Sequence, residues 1–99
     1  MSWQKEVDEL RRREALAYKM GGEERVARQH DNGRLTVRER VAALADDGSF
    51  HEIGALAGKA TYNDAGEMQD FVPSNFVLGT ALINGRKVVL GGDDFTVRG

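Results

Sequence analysis

Residues 76–90, FVLGTALINGRKVVL, decide the fold of this 99-residue chain. Apolar residues are nearly continuous from Phe76 to Ile83 and again from Val88 to Leu90, and Asn-Gly lies between the two runs. Asn-Gly is typical of a two-residue type I′ turn, so the stretch predicts a β-hairpin. Runs without polar alternation are typical of strands covered on both faces. We therefore expect more structure to cover this hairpin than the chain supplies, and we expect the chain to be the front piece of a larger protein.

A long helix is predicted at the other end of the chain, over residues 2–19. Its apolar residues fall near one face, which is the face we expect to be buried: Trp3, Val7, Leu10 and Ala17. The run Arg11-Arg12-Arg13 wraps around the helix instead of forming a stripe. We therefore predict that these three arginines are solvated.

Two shorter helices are predicted between this helix and the hairpin. EERVARQHDNG (23–33) has acidic residues at its start, where the helix dipole favours them, and Gly33 at its end. LTVRERVAALADDG (35–48) carries Thr36 and Glu39 at the spacing of a capping box, in which each side chain bonds the other's backbone N–H. The predicted buried face of this third helix consists of Val37, Val41 and Leu44.

Two segments lie between the helices and the hairpin. SFHEIGALAG (49–58) is predicted to be a short extended piece. KATYNDAGEMQDFVPSN (59–75) has many turn residues, few apolar ones and Pro73, the only proline of the chain, so it is predicted to be a mobile loop. The residues alone thus predict an α+β chain of N-terminal helices followed by a β-hairpin.

Composition excludes several classes of protein. The formal net charge is −2, which argues against a general nucleic-acid binder. There is no cysteine, so disulfides, thiolate catalysis and cysteine-bound zinc are excluded. The N-terminal MSWQKEVDELRRRE lacks the apolar stretch of a secretory signal, and no run reaches the length of a membrane span. We expect a cytoplasmic protein that binds neither membrane nor nucleic acid.

Two groups of residues could suggest a metal or acid–base site. Gly91-Gly92-Asp93-Asp94 could present two carboxylates, but adjacent strand residues point to opposite faces, so we interpret the aspartates as capping the following turn. The only histidines, His30 and His51, lack the spacing of a metal pair. We expect His30 to bond a helix end, and we predict no catalytic and no metal-binding residue in this chain.

Five arginines crowd a helix–glycine–helix corner, and two interpretations of them stay open. The capped helix start at Thr36 is favourable for an anion, and arginines beside it suit phosphate groups. Salt bridges to Glu23, Glu24 and Glu39 would explain the same arginines equally well. The five are Arg25, Arg28, Arg34, Arg38 and Arg40.

The ordered motifs around this corner resemble a known family, the carboxyltransferase β subunits of biotin-dependent acyl-CoA carboxylases. That family includes the propionyl-CoA and methylcrotonyl-CoA carboxylases and related decarboxylases. The resemblance covers about residues 20–99 and is weak only around 59–75. Arg34 departs from the pattern, since the family commonly has lysine there. The matching residues are Gly21-Gly22, Gln29-His30, Gly33-Arg34-Leu35-Thr36, Arg38-Glu39-Arg40, Asp47-Gly48-Ser49-Phe50, Glu52, and GTALINGRKVVLGGDDFTVRG over 79–99.

The resemblance implies a crotonase-like (ClpP/crotonase) α/β fold of which this chain is an α+β fragment. It divides the chain into an N-terminal helix (1–20) and the start of the carboxyltransferase N-terminal domain (21–99). It also implies a reaction: carboxybiotin releases its carboxyl group, the acyl-CoA α-carbon is deprotonated, and the resulting enolate captures the carboxyl. Backbone N–H groups hold the enolate oxygen, as in an oxyanion hole. The family's glycine-rich segments for this lie mostly beyond the equivalent of Gly99.

The same resemblance implies the ligands and partners. Acyl-CoA is the substrate, biotin is carried by a partner carrier protein, and a biotin carboxylase subunit and further copies of the parent subunit are expected partners. Arg34, Arg38 and Arg40 are the candidates for binding CoA phosphates. The 99 residues alone are expected to be inactive. The alternative is a free-standing small α+β binding or assembly module without catalysis.

Overall fold

The computed structural model describes residues 2–98, in which three helices are followed by five strands. The helices are α1 (Gln4–Tyr18), α2 (Glu23–Asp31) and α3 (Val37–Leu44). The strands are β1 (His51–Ile53), β2 (Gly58–Tyr62), β3 (Met68–Pro73), β4 (Phe76–Ile83) and β5 (Arg86–Asp93). This order is the predicted one of helices before strands. None of the helices within residues 2–98 has both the length and the apolar content that crossing a membrane requires.

The predicted hairpin is confirmed as β4–β5. The strands pair antiparallel from Ile83 opposite Arg86 to Phe76 opposite Asp93. Asn84 and Gly85 have φ angles of 53° and 78°, as the two central positions of a type I′ turn require. The carboxylate of Asp46, just after α3, accepts the backbone N–H groups of Asn84 (2.9 Å) and Gly85 (2.8 Å). The end of the third helix therefore fixes the tip of the hairpin.

The hairpin belongs to a three-stranded antiparallel sheet of order β1-β4-β5. Burial alternates along β4, with Val77 and Ala81 on the buried face beneath α3. Within residues 2–98 the opposite face stays open, and its apolar side chains include Val89, which is 73% exposed. The nearly continuous apolar run of the sequence thus forms strand β4, and residues 2–98 cover only one face of that strand. The other large side chains on the open face are Ile53, Phe76 and Leu78.

The prediction of a mobile loop over 59–75 is wrong. Residues 58–73 form the antiparallel hairpin β2–β3, and Met68 and Phe71 are buried in the core. The turn residues that suggested a loop close this hairpin: the Asn63 side chain accepts the backbone N–H groups of Ala65 (3.0 Å) and Glu67 (2.9 Å). A register shift at Thr61/Tyr62 breaks the simple alternation of the strands, which removes the period-two signal from the sequence.

The prediction of which α1 face is buried is also wrong, because Ala17 is the only one of the four named residues that is buried. Trp3, Val7 and Leu10 are exposed. Ala17 packs with Met68 and Phe71 in the core cluster, and Leu16 joins it. The β2–β3 hairpin, which local sequence patterns do not reveal, determines which face of α1 is covered.

Two of the three arginines predicted to be solvated instead attach α1 to this second hairpin. Arg12 donates from its two terminal nitrogens to the backbone carbonyls of Met68 and Gln69. Arg13 donates to the hydroxyl of Tyr62 (2.6 Å), and its guanidinium lies 5.0 Å from the ring centre of Phe71. These contacts compensate for the thin apolar face of α1, since arginine contributes both packing area and hydrogen bonds.

Candidate functional site

The predicted capping box at the start of α3 is confirmed. Thr36 donates its backbone N–H to Oε1 of Glu39 (2.8 Å), and Glu39 donates its backbone N–H to Oγ1 of Thr36 (3.2 Å). His30, in the last turn of α2, donates from Nε2 to the same Oε1 (2.7 Å), which confirms that this histidine bonds a helix end. The carboxylate of Glu39 therefore already occupies the position beside the helix start that one of the two sequence interpretations assigned to an external anion.

These bonds lower the pKa of Glu39 from 4.5 to about 2. The main cause is the hydrogen bond from the Thr36 backbone, and the second is the hydrogen bond from His30, because both favour the ionised carboxylate. The folded protein consequently binds fewer protons at this group than the unfolded chain does. The stability that results is fully present above about pH 4.5 and is lost as the pH falls towards 2.

This linkage predicts a pH-dependent difference between the natural protein and Glu39→Gln. Glutamine keeps the geometry of a capping box but does not titrate. We expect the melting temperature of the natural protein to fall more steeply than that of the variant between about pH 5 and pH 2. Scanning calorimetry at several pH values measures this difference. Parallel curves over that range would contradict the predicted pKa shift.

Arg38 is held by Glu52 of β1. The guanidinium makes a bidentate pair with the Glu52 carboxylate, at 2.7 Å and 3.0 Å, and the two side chains are only 17% and 10% exposed. The guanidinium also stacks 4.3 Å from the ring centre of Tyr18 at the end of α1. A salt bridge at this corner was one of the two sequence interpretations, but its partner is Glu52 and not Glu23, Glu24 or Glu39.

Arg34 and Arg40 differ from Arg38, because both are exposed. Within residues 2–98 neither makes an ion pair or a side-chain hydrogen bond. Of the three arginines that the resemblance suggests for CoA phosphates, these two have free guanidinium groups. The guanidinium of Arg38 already has its two terminal nitrogens bonded to a carboxylate.

A buried junction joins the segment after β5 to the glycines after α1. Asp94 is 1% exposed, and its Oδ1 accepts both the backbone N–H (3.0 Å) and the hydroxyl (2.6 Å) of Thr96. The Thr96 hydroxyl oxygen in turn accepts the backbone N–H of Gly21 (3.0 Å). Arg25 of α2 donates to the backbone carbonyl of Val97 (3.0 Å) and, more weakly, to that of Thr96 (3.5 Å). Residues 94–97 are therefore fixed against the first turn of α2.

Asp93 and Asp94 point to opposite sides, as their adjacent positions predicted. Asp93 is exposed, whereas Asp94 is buried and caps the turn at Thr96. No group of three or more acidic or histidine side chains within residues 2–98 is placed to hold a metal ion. The interpretation of these aspartates as turn residues is confirmed for Asp94.

An open cleft of about 300 Å³ lies between α2 and the segment that follows β5. Arg25, Arg28 and Arg98 bring three guanidinium groups to it, and no carboxylate is among its lining residues. Because α2 and the segment after β5 are distant in sequence, only the folded chain forms this site. The remaining lining residues are Gln29, Asn32, Phe95, Thr96 and Val97.

Sequence reasoning missed the pairing of Glu52 with Arg38, the part of the Asp94–Thr96 junction in which Thr96 bonds Gly21, and the position of Arg98. The spacing Asp-x-Thr is a local signal that could have suggested the junction, because an aspartate side chain readily accepts the N–H two residues later. Glu52 carries no such signal, since its partner is 14 positions away in the chain.

Comparison with known proteins identifies relatives of the whole chain. The family model of the carboxyl transferase domain matches residues 28–99. The carboxyltransferase subunit of propionyl-CoA carboxylase from Haloferax mediterranei is 35% identical over 99 residues, which are 100% of this chain and 19% of the relative. The propionyl-CoA carboxylase beta chain of Cereibacter sphaeroides is 43% identical over 95 residues, 94% of this chain and 18% of the relative.

A decarboxylase and a solved structure are similar over the same region. The alpha subunit of methylmalonyl-CoA decarboxylase from Propionigenium modestum is 34% identical over 96% of this chain and 18% of its own length. The crystal structure of transcarboxylase 12S, a hexamer with methylmalonyl-coenzyme A and methylmalonic acid bound, superposes with a TM-score of 0.78 and 33% identity. The match covers 98% of this chain and 19% of the transcarboxylase chain. The chain thus spans about a fifth of the length of these relatives.

Proposed function

Because the chain belongs to the carboxyl transferase domain family, we propose that it is part of an acyl-CoA carboxyltransferase. That enzyme moves a carboxyl group between carboxybiotin and the α-carbon of an acyl-CoA. The observation that carries the proposal is that the family match runs from the end of α2 through α3 and both hairpins, and that the structural match covers 98% of this chain. The crotonase-like fold, of which these elements are a fragment, agrees with the resemblance of the sequence motifs.

The proposed contribution of residues 2–98 is to support and orient the rest of the enzyme. The described residues form buried junctions, such as the Asp94–Thr96 pair and the Arg38–Glu52 pair, and we assign none of them to proton transfer or to biotin. Biotin, attached to a partner carrier protein, would supply the carboxyl group. We therefore expect residues 1–99 by themselves to transfer no carboxyl group. We further propose a cytoplasmic enzyme that forms homo-oligomers and works with a biotin carboxylase subunit.

Carboxyl transfer by the full-length protein tests this function. Propionyl-CoA and methylmalonyl-CoA are the acyl-CoA pair named for its relatives, so we expect biotin-dependent transfer of labelled carboxyl from methylmalonyl-CoA to biotin, or from a carboxylated biotin carrier to propionyl-CoA. The same reaction without biotin is the control. A folded protein that transfers carboxyl to no acyl-CoA offered with the carboxylated carrier would contradict the proposal and favour a binding or assembly module.

We also propose that the phosphates of CoA contact the arginine corner, with Arg34 and Arg40 as the free cations and Arg38 as the third candidate. Removing an exposed charge that contacts only the nucleotide end of a substrate weakens binding without changing the chemical step. The double variant Arg34→Gln/Arg40→Gln is therefore expected to raise the KM for acyl-CoA about ten-fold at unchanged kcat, since exposed ion pairs contribute up to about 1 kcal/mol each and about 1.4 kcal/mol corresponds to a factor of ten. Arg86→Gln, an exposed arginine on β5, is the matched control. A KM that stays at the natural value in the double variant would exclude these two residues from phosphate binding.

A further inference from the structure

We infer that Asn32 is a site of spontaneous deamidation, and that the fold directs this modification to Asn32 and away from Asn84. The sequence Asn-Gly-Arg occurs twice, at residues 32–34 and 84–86. In each copy the backbone nitrogen of the glycine can attack the side-chain amide carbon of the asparagine, because glycine has no Cβ to hinder the approach. A difference between the two rates therefore comes mainly from the fold. The inference concerns a modification of this chain and does not depend on carboxyl transfer.

The reaction requires only water besides the protein itself. The backbone nitrogen of Gly33 gives up its proton to water and forms a bond to Cγ of Asn32. The bond from Cγ to the side-chain nitrogen breaks, and that nitrogen takes up a proton from water and leaves as ammonia. A water molecule then adds to one of the two carbonyl carbons of the five-membered succinimide ring and opens it. The product is aspartate or isoaspartate, depending on which carbonyl carbon the water attacks.

A carboxylate holds the second copy of this sequence. Asp46 accepts the backbone N–H of Asn84 (2.9 Å) and that of the attacking nitrogen of Gly85 (2.8 Å). Hydrogen bonds to an ionised acceptor are about twice as strong as neutral ones. The negative charge also disfavours the loss of a proton from the nitrogen beside it. Because Ile83 pairs with Arg86 across the turn, ring formation at this copy requires the tip of the hairpin to open.

The first copy lies at the exposed end of α2, where its backbone has neutral partners. Asn32 donates its backbone N–H to the carbonyl of Arg28 (3.1 Å), and Gly33 donates to that of His30 (2.9 Å). Residues 31–35 are all exposed, and the ends of helices open readily. The attacking nitrogen of this copy is therefore released at a lower cost than the one that Asp46 holds.

Positive charges around Asn32 favour the reaction further. Asn32 lines the cleft to which Arg25, Arg28 and Arg98 bring three guanidinium groups, and no carboxylate is among the lining residues. A positive potential stabilises the anionic backbone nitrogen that attacks Cγ. Asp31, which precedes Asn32 in the chain, is exposed and opposes these three charges with one. The balance at this copy is opposite in sign to that at the hairpin tip.

Conversion to isoaspartate is expected to disrupt the end of α2. The backbone of isoaspartate is longer by one methylene group, so the bonds from Gly33 to His30 and from Arg34 to Gln29 (3.1 Å) lose their register. These two bonds have the pattern of a Schellman motif, which ends a helix. Since His30 also bonds Glu39 (2.7 Å), the disruption reaches the capped start of α3. We therefore expect the melting temperature to fall as the conversion proceeds.

Incubation of the full-length protein in mildly alkaline buffer, followed by peptide mass spectrometry, tests the inference. The deamidated fraction at each asparagine is measured over time, in the folded protein and in denaturant. In the folded protein we expect Asn32 to convert about ten-fold faster than Asn84 or more, the factor that corresponds to exchanging a neutral hydrogen bond for a charged one. In denaturant the two rates should be similar, because the reacting residues are the same.

Three variants identify the cause and the consequence. Asp46→Ala removes the carboxylate from the hairpin tip and should raise the rate at Asn84 without changing the rate at Asn32. Asn32→Gln removes the reactive residue, so its melting temperature should stay constant during incubation. Asn84→Gln is the matched control, and its melting temperature should fall as that of the natural protein does. Circular dichroism before incubation shows that each variant folds.

Two results would overturn the inference. The first is conversion of Asn84 at the same rate as Asn32, or faster, in the folded natural protein. The second is a folded Asp46→Ala variant in which Asn84 converts as slowly as in the natural protein. A melting temperature that stays constant while Asn32 converts would contradict the expected disruption of α2.

Discussion

Replacing Gly21 with alanine is expected to destabilise the protein by about 3 kcal/mol or more, which for a chain of this size can prevent folding. An added Cβ would overlap the carbonyl group of Thr96 and would lie 3.0 Å from the backbone nitrogen of Val97. Both obstacles are backbone atoms, so no side-chain rotation relieves the overlap. The variant would also break the hydrogen bond from the Gly21 N–H to the Thr96 hydroxyl, because the two segments must separate. Chemical denaturation of the natural protein and the variant measures the difference.

Gly33→Ala is the matched control for this prediction. Gly33 has a φ of 73°, and nothing lies within 4 Å of a Cβ added there. That substitution tests backbone strain without a steric overlap, and it should cost about 1 kcal/mol. Equal losses in the two variants would show that the close approach between residues 21 and 96 does not contribute.

The second large effect is expected at Arg38. Arg38→Ala leaves the carboxylate of Glu52 largely buried and without its partner, which costs about 3 kcal/mol in pairs of this kind. The stacking of the guanidinium on Tyr18 is lost as well. We therefore expect a clear loss of stability, measured as a lower denaturation midpoint at an unchanged slope.

Two further variants identify the cause of that loss. Arg40→Ala removes an exposed arginine of the same helix and should change the stability by no more than about 0.5 kcal/mol. Adding Glu52→Gln to Arg38→Ala removes the unpaired charge and should restore part of the stability. If Arg38→Ala is as stable as Arg40→Ala, the ion pair makes no net contribution to stability, which would contradict this prediction.

The local signals of the sequence were sufficient for the elements that short-range contacts define. The capping box joins residues three positions apart, and the type I′ turn needs only Asn84 and Gly85. The helices were predicted to within a few residues for the same reason. The motifs around Gly21 and Arg38 also led to the family to which the chain belongs.

Long-range contacts decided what the local signals could not. The β2–β3 hairpin has a register shift and polar exposed positions, so its sequence resembles that of a loop. The packing of α1 on Met68 and Phe71 gives this hairpin its buried face. The buried face of α1 follows from that packing, and the helix pattern alone favoured the wrong side. Arg12 and Arg13, predicted to be solvated, bond this hairpin instead.

The sequence by itself determined the order of helices and strands, the capped start of α3, the central hairpin and the family. The tertiary structure alone decided which arginines are bound and which are free. Arg38 pairs with Glu52, 14 positions away, and Gly21 contacts Thr96, 75 positions away. An arginine can pair with any carboxylate or carbonyl that the fold brings near, so composition and spacing leave its partner undetermined. The physical reason is that the partner of a charged side chain depends on which residues the fold brings near it in space, whereas a cap or a turn depends on residues that are close in the chain.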